Sequence, residues 1–349
     1  MAYHEDALAA NPYKQEYLSS MERLIQRRLQ EASAARRLRT KDILENPEQA
    51  RADFSRMLGW PLTEEPRQPL TVEATLLSEE NGLRLYRMKF EIFQGFFFYG
   101  LYFEHTGRRL PLVLSQHGKW GTPEVCSDVI PLEETNYHHM SRRILQRGAH
   151  VFAPQLLLWM ADSCGIEYDR DLLDAQLRQA GGSVVALELY CLRCCISYFA
   201  AQPEVDETRM GMVGLSYGGM YTIYAAAVDT RLKAALSSCY FNDRSLQLFP
   251  DWSWKDSAWQ FMDSEIALLC YPRALFLSVA DKDPHFLAQN GRREYDRLRR
   301  ALQEAGIGQQ WLHFEVFDGV HEFCPDNRFL DMFFSALNEA RFPQVKRRD

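Results

Sequence analysis

The chain has 349 residues, 46% hydrophobic and 25% charged, enough apolar material to bury a core without disulfides or metals. Forty basic residues against 47 acidic ones give a net charge of −7, which argues against a general nucleic-acid or anionic-membrane binder. The opening residues carry acids and no apolar h-region, and no apolar run reaches the length of a membrane span, so a cytoplasmic protein is expected.

In chain order, the first 68 residues read as a helical segment. Asn11-Pro12 is a start signal, and Tyr17, Leu18, Met21, Leu24, Ile25 and Leu29 then recur at helical spacing as one apolar stripe. Asn46-Pro47 repeats the signal, Ala50, Phe54 and Leu58 make a second stripe, and Gly59 stops it. Between Arg23 and Lys41 lie seven basic residues and one acid, Glu31, a pattern that fits a solvated helix face better than a dock for an acidic partner. These helices also offer a surface for homo-oligomer formation.

Residues 69–349 read as the main domain. LRLYRMKFEI and GFFFYGLYFEH predict two antiparallel strands joined near Gln94-Gly95. Short apolar runs at 110–116, 150–154, 209–214, 232–239, 273–280 and 311–317 then alternate with helical stretches around 136–147, 174–200 and from 218. That alternation predicts an α/β fold, a mostly parallel twisted sheet with helices on both faces. Cys191, Cys194 and Cys195 form C-x-x-C-C within the helix over 174–200, where reduced core cysteines are expected rather than a metal or redox site.

Chemistry in such sheets sits beyond the carboxyl ends of the strands. Gly214-Leu215-Ser216-Tyr217-Gly218 is a G-x-S-x-G pattern between a strand and a helix, the setting of a nucleophile elbow. A serine hydroxyl needs a base, itself oriented by a carboxylate. His321, after the last strand in Asp318-Gly319-Val320-His321, is the candidate base. Asp283 is the candidate carboxylate, with Asp281 and Asp243 as rivals. Oxyanion donors are expected from the Tyr217 N–H and from the Lys119 or Trp120 N–H in the loop His117-Gly118-Lys119-Trp120-Gly121, with His117 as a buttress.

With its His-Gly loop, G-L-S-Y-G-G elbow, D-K-D-P acid loop and G-V-H loop in this order, the chain resembles the α/β-hydrolase superfamily. Within it, the strand after the elbow helix, Asp229-Thr230-Arg231-Leu232-Lys233-Ala234, is similar to that of the dienelactone hydrolase and acetyl xylan esterase-like branch. The resemblance covers about residues 70–340 and implies a hydrolase with no large lid domain. Ser216 stands where dienelactone hydrolases proper carry cysteine, which points to ordinary ester chemistry.

Residues 241–270 leave the strand–helix rhythm and read as a small aromatic-rich cap. Trp252, Trp254 and Trp259 there, with Trp120 and Trp159 in two other strand-end loops, are candidates to line a pocket for an apolar or sugar-like ester or, equally, to pack a small cap against the core. Arg170 and Arg244 are expected to be paired at the surface. The expected function is a serine hydrolase of carboxylic esters, acting on a small-molecule ester without cofactor or metal, since no dinucleotide fingerprint, P-loop or zinc spacing is present. A thioesterase or small-peptide hydrolase would use the same triad, and a binding module on the same fold would not need it. Haloalkane or epoxide chemistry wants a carboxylate in place of Ser216.

Overall fold

The structure, a computed structural model, describes residues 3–132 and 135–339. One nine-stranded sheet organises it: β1 Thr71–Glu80, β2 Leu83–Phe93, β3 Phe96–His105, β4 Leu110–Gln116, β5 His150–Pro154, β6 Val205–Leu215, β7 Leu232–Ser238, β8 Ala274–Ala280 and β9 Leu312–Phe317, in spatial order β1-β2-β3-β5-β4-β6-β7-β8-β9. β1 to β3 form an antiparallel meander that joins β5 antiparallel, and every pair from β5 onward is parallel. β4 and β5 are buried along their whole length because helices cover both faces. Along β4, Leu112 and Leu114 enter one core while Val113 enters the other, the two-residue period of a strand.

The chain winds outward from β4 to β5, then crosses back to β6 on β4's other side. β4 and β6 therefore flank the point where winding reverses, and a crevice opens beyond their carboxyl ends. Residues after Gln116 and after Leu215 emerge side by side there, with Gln116 in register with Gly214.

Several elements differ from expectation. β1 goes unread because its side chains are almost all exposed, so its sequence carries little apolar alternation. The helix expected over 174–200 is two helices, Arg170–Gln179 and Val184–Ala200. The break lies at Gly181-Gly182, where Gly181 has φ +86° and a Cβ on Gly182 would lie 2.5 Å from the Trp60 carbonyl oxygen. The helix expected over 136–147 shrinks to Met140–Leu145, because His138 and His139 both take left-handed backbone conformations. Cys191, Cys194 and Cys195 are buried free thiols in the Val184–Ala200 core helix. Of the eight cysteines, only Cys164 is exposed.

At the N-terminus, α1 spans Asn11–Glu45 and α2 spans Pro47–Leu58. α2 belongs to the main core: Phe54 packs edge-on to Tyr224 at 5.3 Å and against Phe261 at 5.4 Å. α1 divides. Ala32, Arg36 and Ile43 are buried, while the stripe from Tyr17 to Ile25 faces solvent. No helix among the described residues is long and apolar enough to cross a membrane.

Candidate active site

Ser216 stands between β6 and the helix Tyr217–Val228 with φ +61° and ψ −125°, a conformation that costs a non-glycine residue free energy. The turn is tight enough to demand small neighbours: a Cβ on Gly218 would lie 2.2 Å from the Gln116 carbonyl oxygen. The Tyr217 N–H belongs to the first turn of the helix, where backbone donors have no intrahelical acceptor.

Asp283 follows β8, and its carboxylate is built in place by its own loop. Oδ1 accepts the N–H groups of His285 at 2.7 Å and Phe286 at 2.9 Å, and Oδ2 meets His321 Nδ1 at 2.8 Å. Burial works against ionisation here, but the hydrogen bond and charge of His321, with the two N–H donors, outweigh it and hold the carboxyl below its ordinary value. His321 stacks on Phe286 at 5.6 Å, and 18% of its side chain remains exposed. The rival acids are committed elsewhere: Asp281 accepts the Gly319 N–H at 3.1 Å, and Asp243 caps Ser245 and lies 3.6 Å from Arg297.

β7 brings the serine and the Asp283–His321 pair together. The Ser238 carbonyl at its end accepts the Ser216 N–H at 2.8 Å, and the next residue's Sγ, on Cys239, lies within 4.8 Å of ligand atoms of both Asp283 and His321. Among the described residues the Ser216 hydroxyl makes no hydrogen bond to the imidazole, a contact that in unliganded enzymes is often long and tightens with substrate. Cys239, Asp283 and His321 have the donor types of a metal site, but the last two are bonded to each other. Burial also pushes the Cys239 thiol up to about 12, so it stays protonated.

The loop after β4 faces the elbow. A Cβ on Gly118 would lie 3.0 Å from Ser216 Cβ. Its N–H donates to the Tyr137 hydroxyl at 3.0 Å, and the Trp120 N–H donates to the Leu158 carbonyl at 2.6 Å. Trp120 is thus spent as an oxyanion donor, and the Lys119 N–H is the one left in this loop. His117 is fully buried: Nδ1 bonds the Gly118 carbonyl at 2.8 Å and Nε2 accepts the Leu156 N–H at 3.0 Å, the pattern of a neutral Nδ1–H tautomer. Burial lowers its pKa to about 4.

Beside Tyr217 opens a cavity of about 470 Å³ walled by Lys119, Trp120, Trp159, Tyr168 and Phe249. Trp120 is 61% exposed, and Lys119 Nζ lies 5.6 Å from both its ring and that of Phe249. Of the tryptophans expected here, Trp120 and Trp159 line the cavity and the three from 241–270 do not. Trp252 is buried behind it, stacked on Tyr217 at 5.0 Å and Tyr240 at 5.6 Å. Trp254 is buried against Tyr224 and Arg244, and Trp259 lies under Arg28 of α1. Their large apolar area serves to close the 241–270 segment onto the core. Neither this cavity nor a larger cleft of about 910 Å³, lined by Arg51, Arg193 and Arg231, is lined by Ser216, Asp283 or His321, but only the smaller one reaches Tyr217, the residue next to Ser216.

The arginines expected at the surface are paired but buried. Arg244 holds Asp263 at 2.7 Å. Arg170 floors the cavity: Nε meets Asp251 at 2.7 Å, Nη2 meets Glu188 at 3.0 Å and the Tyr221 hydroxyl at 2.9 Å, and Nη1 meets the Leu157 carbonyl at 3.0 Å. Asp251 also accepts the Tyr217 hydroxyl at 3.0 Å, and Glu188 the Leu157 N–H at 2.6 Å. Sequence reading missed Glu188, Asp251 and Tyr137. The available signal was Glu188, a lone acid inside the apolar run VVALELYCL.

A serine elbow at the reversal point of a doubly wound sheet, with an aspartate–histidine pair beyond its last two strands, defines the α/β-hydrolase fold class. Residues 124–340 match the model of the dienelactone hydrolase family, more than half of the chain, and the protein belongs to that family. A carbohydrate esterase, MZ0003, from an unknown prokaryotic organism is 26% identical over 157 residues, so the match spans only 36% of this chain and 35% of that protein. Among solved structures, a glucuronoyl esterase from Solibacter usitatus superposes with a TM-score of 0.62 at 12% identity, covering 86% of this chain and 94% of that one. Acetyl xylan esterase 1 from a Thermoanaerobacterium species gives 0.53 at 16% identity, covering 80% and 91%. At these identities the structural likeness is one of fold.

Proposed function

We propose that this protein is a serine hydrolase of carboxylic esters, with Ser216 as nucleophile, His321 as general base and then acid, and Asp283 as its orienting carboxylate. The observation that carries the reading is the 2.8 Å Asp283–His321 bond beside an elbow serine held at positive φ. Asp283 fixes the Nδ1–H tautomer, which turns the basic Nε2 toward the serine. His321 removes the Ser216 proton as Oγ attacks the ester carbonyl. The Tyr217 and Lys119 N–H groups receive the developing oxyanion, each worth on the order of 3 kcal/mol in the transition state. The alcohol leaves with the proton from His321, and water, activated by the same ring, releases the acid and restores Ser216.

The substrate class is an ester borne by a carbohydrate. The exposed Trp120 indole and the half-buried Trp159 present flat apolar faces in the cavity lined by Tyr217, the residue after the serine, and three similar proteins by name act on carbohydrate, glucuronoyl and acetyl xylan esters.

Activity on a panel of p-nitrophenyl, sugar-acetate, sugar-uronate methyl and thioester substrates tests both levels. Ser216→Ala is expected to lose turnover and fluorophosphonate labelling while melting as the parent does. Labelling that persists in the variant would overturn the assignment of Ser216, and a thioester turned over faster than every oxygen ester would move the substrate class.

A further inference from the structure

α1 runs on beyond the domain. From Asn11 to Gln30 almost every residue is exposed, and burial begins at Ala32. Twenty residues at about 1.5 Å each make an arm of roughly 30 Å. Near its base Arg28 lies over the Trp259 ring at 4.6 Å and pairs with Glu31 at 3.0 Å. A lone helix of this length is marginal in water, and this one holds its apolar stripe in solvent: Tyr17 is 68% exposed, and Leu18, Leu24 and Ile25 each 50%.

The stripe has an order that a solvated face does not need. Its apolar positions, 13, 17, 18, 21, 24, 25 and 29, mirror one another about residue 21. Tyr13 answers Leu29, Tyr17 answers Ile25, Leu18 answers Leu24, and Met21 answers itself. A two-fold axis across two antiparallel helices sets residue i against residue j with a constant sum, so a stripe that mirrors about one residue meets itself without a gap.

Charge selects the same arrangement. Residues 3–22 carry Glu5, Asp6, Glu16 and Glu22 against Lys14, while 23–41 carry seven bases against Glu31. Antiparallel copies lay acidic half on basic half, and parallel copies would lay base on base. Among the described residues Glu16, Glu22, Arg23 and Arg27 have no ion-pair partner within the chain. In the mirrored register Glu16 falls opposite residue 26, beside Arg27.

We infer that α1 is a dimerisation arm, pairing antiparallel with α1 of a second copy about a two-fold axis at Met21. The inference is independent of the catalytic reading.

Sedimentation velocity of the full chain at micromolar concentration tests it. The wild type is expected to sediment as two chains, and Met21→Glu, which places two carboxylates on the axis, as one. Because Met21 is exposed, melting temperature and ester turnover are expected to stay the same. In a Cys164→Ser background, Met21→Cys is expected to oxidise to a covalent dimer and Tyr13→Cys to gain no cross-link. A single-chain wild type, an unchanged mass for Met21→Glu, or cross-linking of Tyr13→Cys as ready as that of Met21→Cys would each overturn the proposal. So would a single-chain wild type that co-sediments with phosphatidylserine vesicles through the same stripe.

Discussion

Asp283 and Asp251 each hold one nitrogen-bearing side chain near the Ser216 turn. Both are buried, Asp283 in the loop after β8 and Asp251 in the 3-10 turn Pro250–Trp252, and their partners lie at 2.7–2.8 Å. They differ in what the partner has left. Arg170 spends Nε, Nη1 and Nη2 on Asp251, Glu188, Tyr221 and a carbonyl, and burial is offset by those partners so completely that its pKa lies well above the ordinary value. His321 gives one nitrogen to Asp283 and keeps the other, on a partly exposed ring. Nothing is thus left over where every donor is consumed, and an imidazole nitrogen is left where one is spared, which is what the proposed chemistry needs.

Breaking each pair should give opposite signatures. Asp283→Asn is expected to lower kcat about 10⁴-fold with little change in unfolding free energy, since it leaves the wrong tautomer rather than a stranded charge. Steady-state kinetics beside thermal melting read this, and a stability loss larger than the rate loss would reverse the contrast. Arg170→Met strands Asp251 and Glu188 and is expected to cost about 3–5 kcal/mol in urea unfolding. Activity per folded molecule should fall far less than in Asp283→Asn.

His117 sharpens the contrast from a third side, as a buried imidazole kept neutral. Its folded pKa of about 4 lies below the ordinary 6.5, so the unfolded chain binds the proton first. The stability this gives is whole above pH 6.5 and drains as pH falls toward 4, by roughly 3 kcal/mol at about 1.4 kcal/mol per unit. The stability lead of wild type over His117→Gln, from urea unfolding, should shrink by that amount between pH 7 and pH 4. A lead that stays constant would place a charged ring in the core. Smallest is Asp281→Asn: this side chain touches Gly319 and not the imidazole, and kcat should change less than about threefold.

What the sequence made legible was whatever depends on local spacing. The strand–turn–helix around Ser216, the strand ends carrying Asp283 and His321, and the alternation behind a parallel sheet all lie within short windows. What it hid depends on contacts between distant segments. Trp252 and Trp254 look like pocket residues by composition, but the core behind the cavity claims them. Trp120 and Lys119 are equal oxyanion candidates until the Leu158 carbonyl is seen to take the Trp120 N–H. Gly181-Gly182 reads as a tolerable interruption until Trp60 is found against it. The stripe on α1 is legible as a pattern, but whether it packs inward is a tertiary fact.

Seven of the eight sulfhydryl groups are shut away in the interior, and the eighth, on Cys164, lies in the short helix Ala161–Cys164, whose first turn walls the cavity beside Tyr217. An oxidant or an alkylating dye therefore meets this molecule at one address. That address adjoins the cavity wall at Met160 to Asp162, so a fluorophore tethered there would sit at the cavity's edge while leaving Ser216 unmodified.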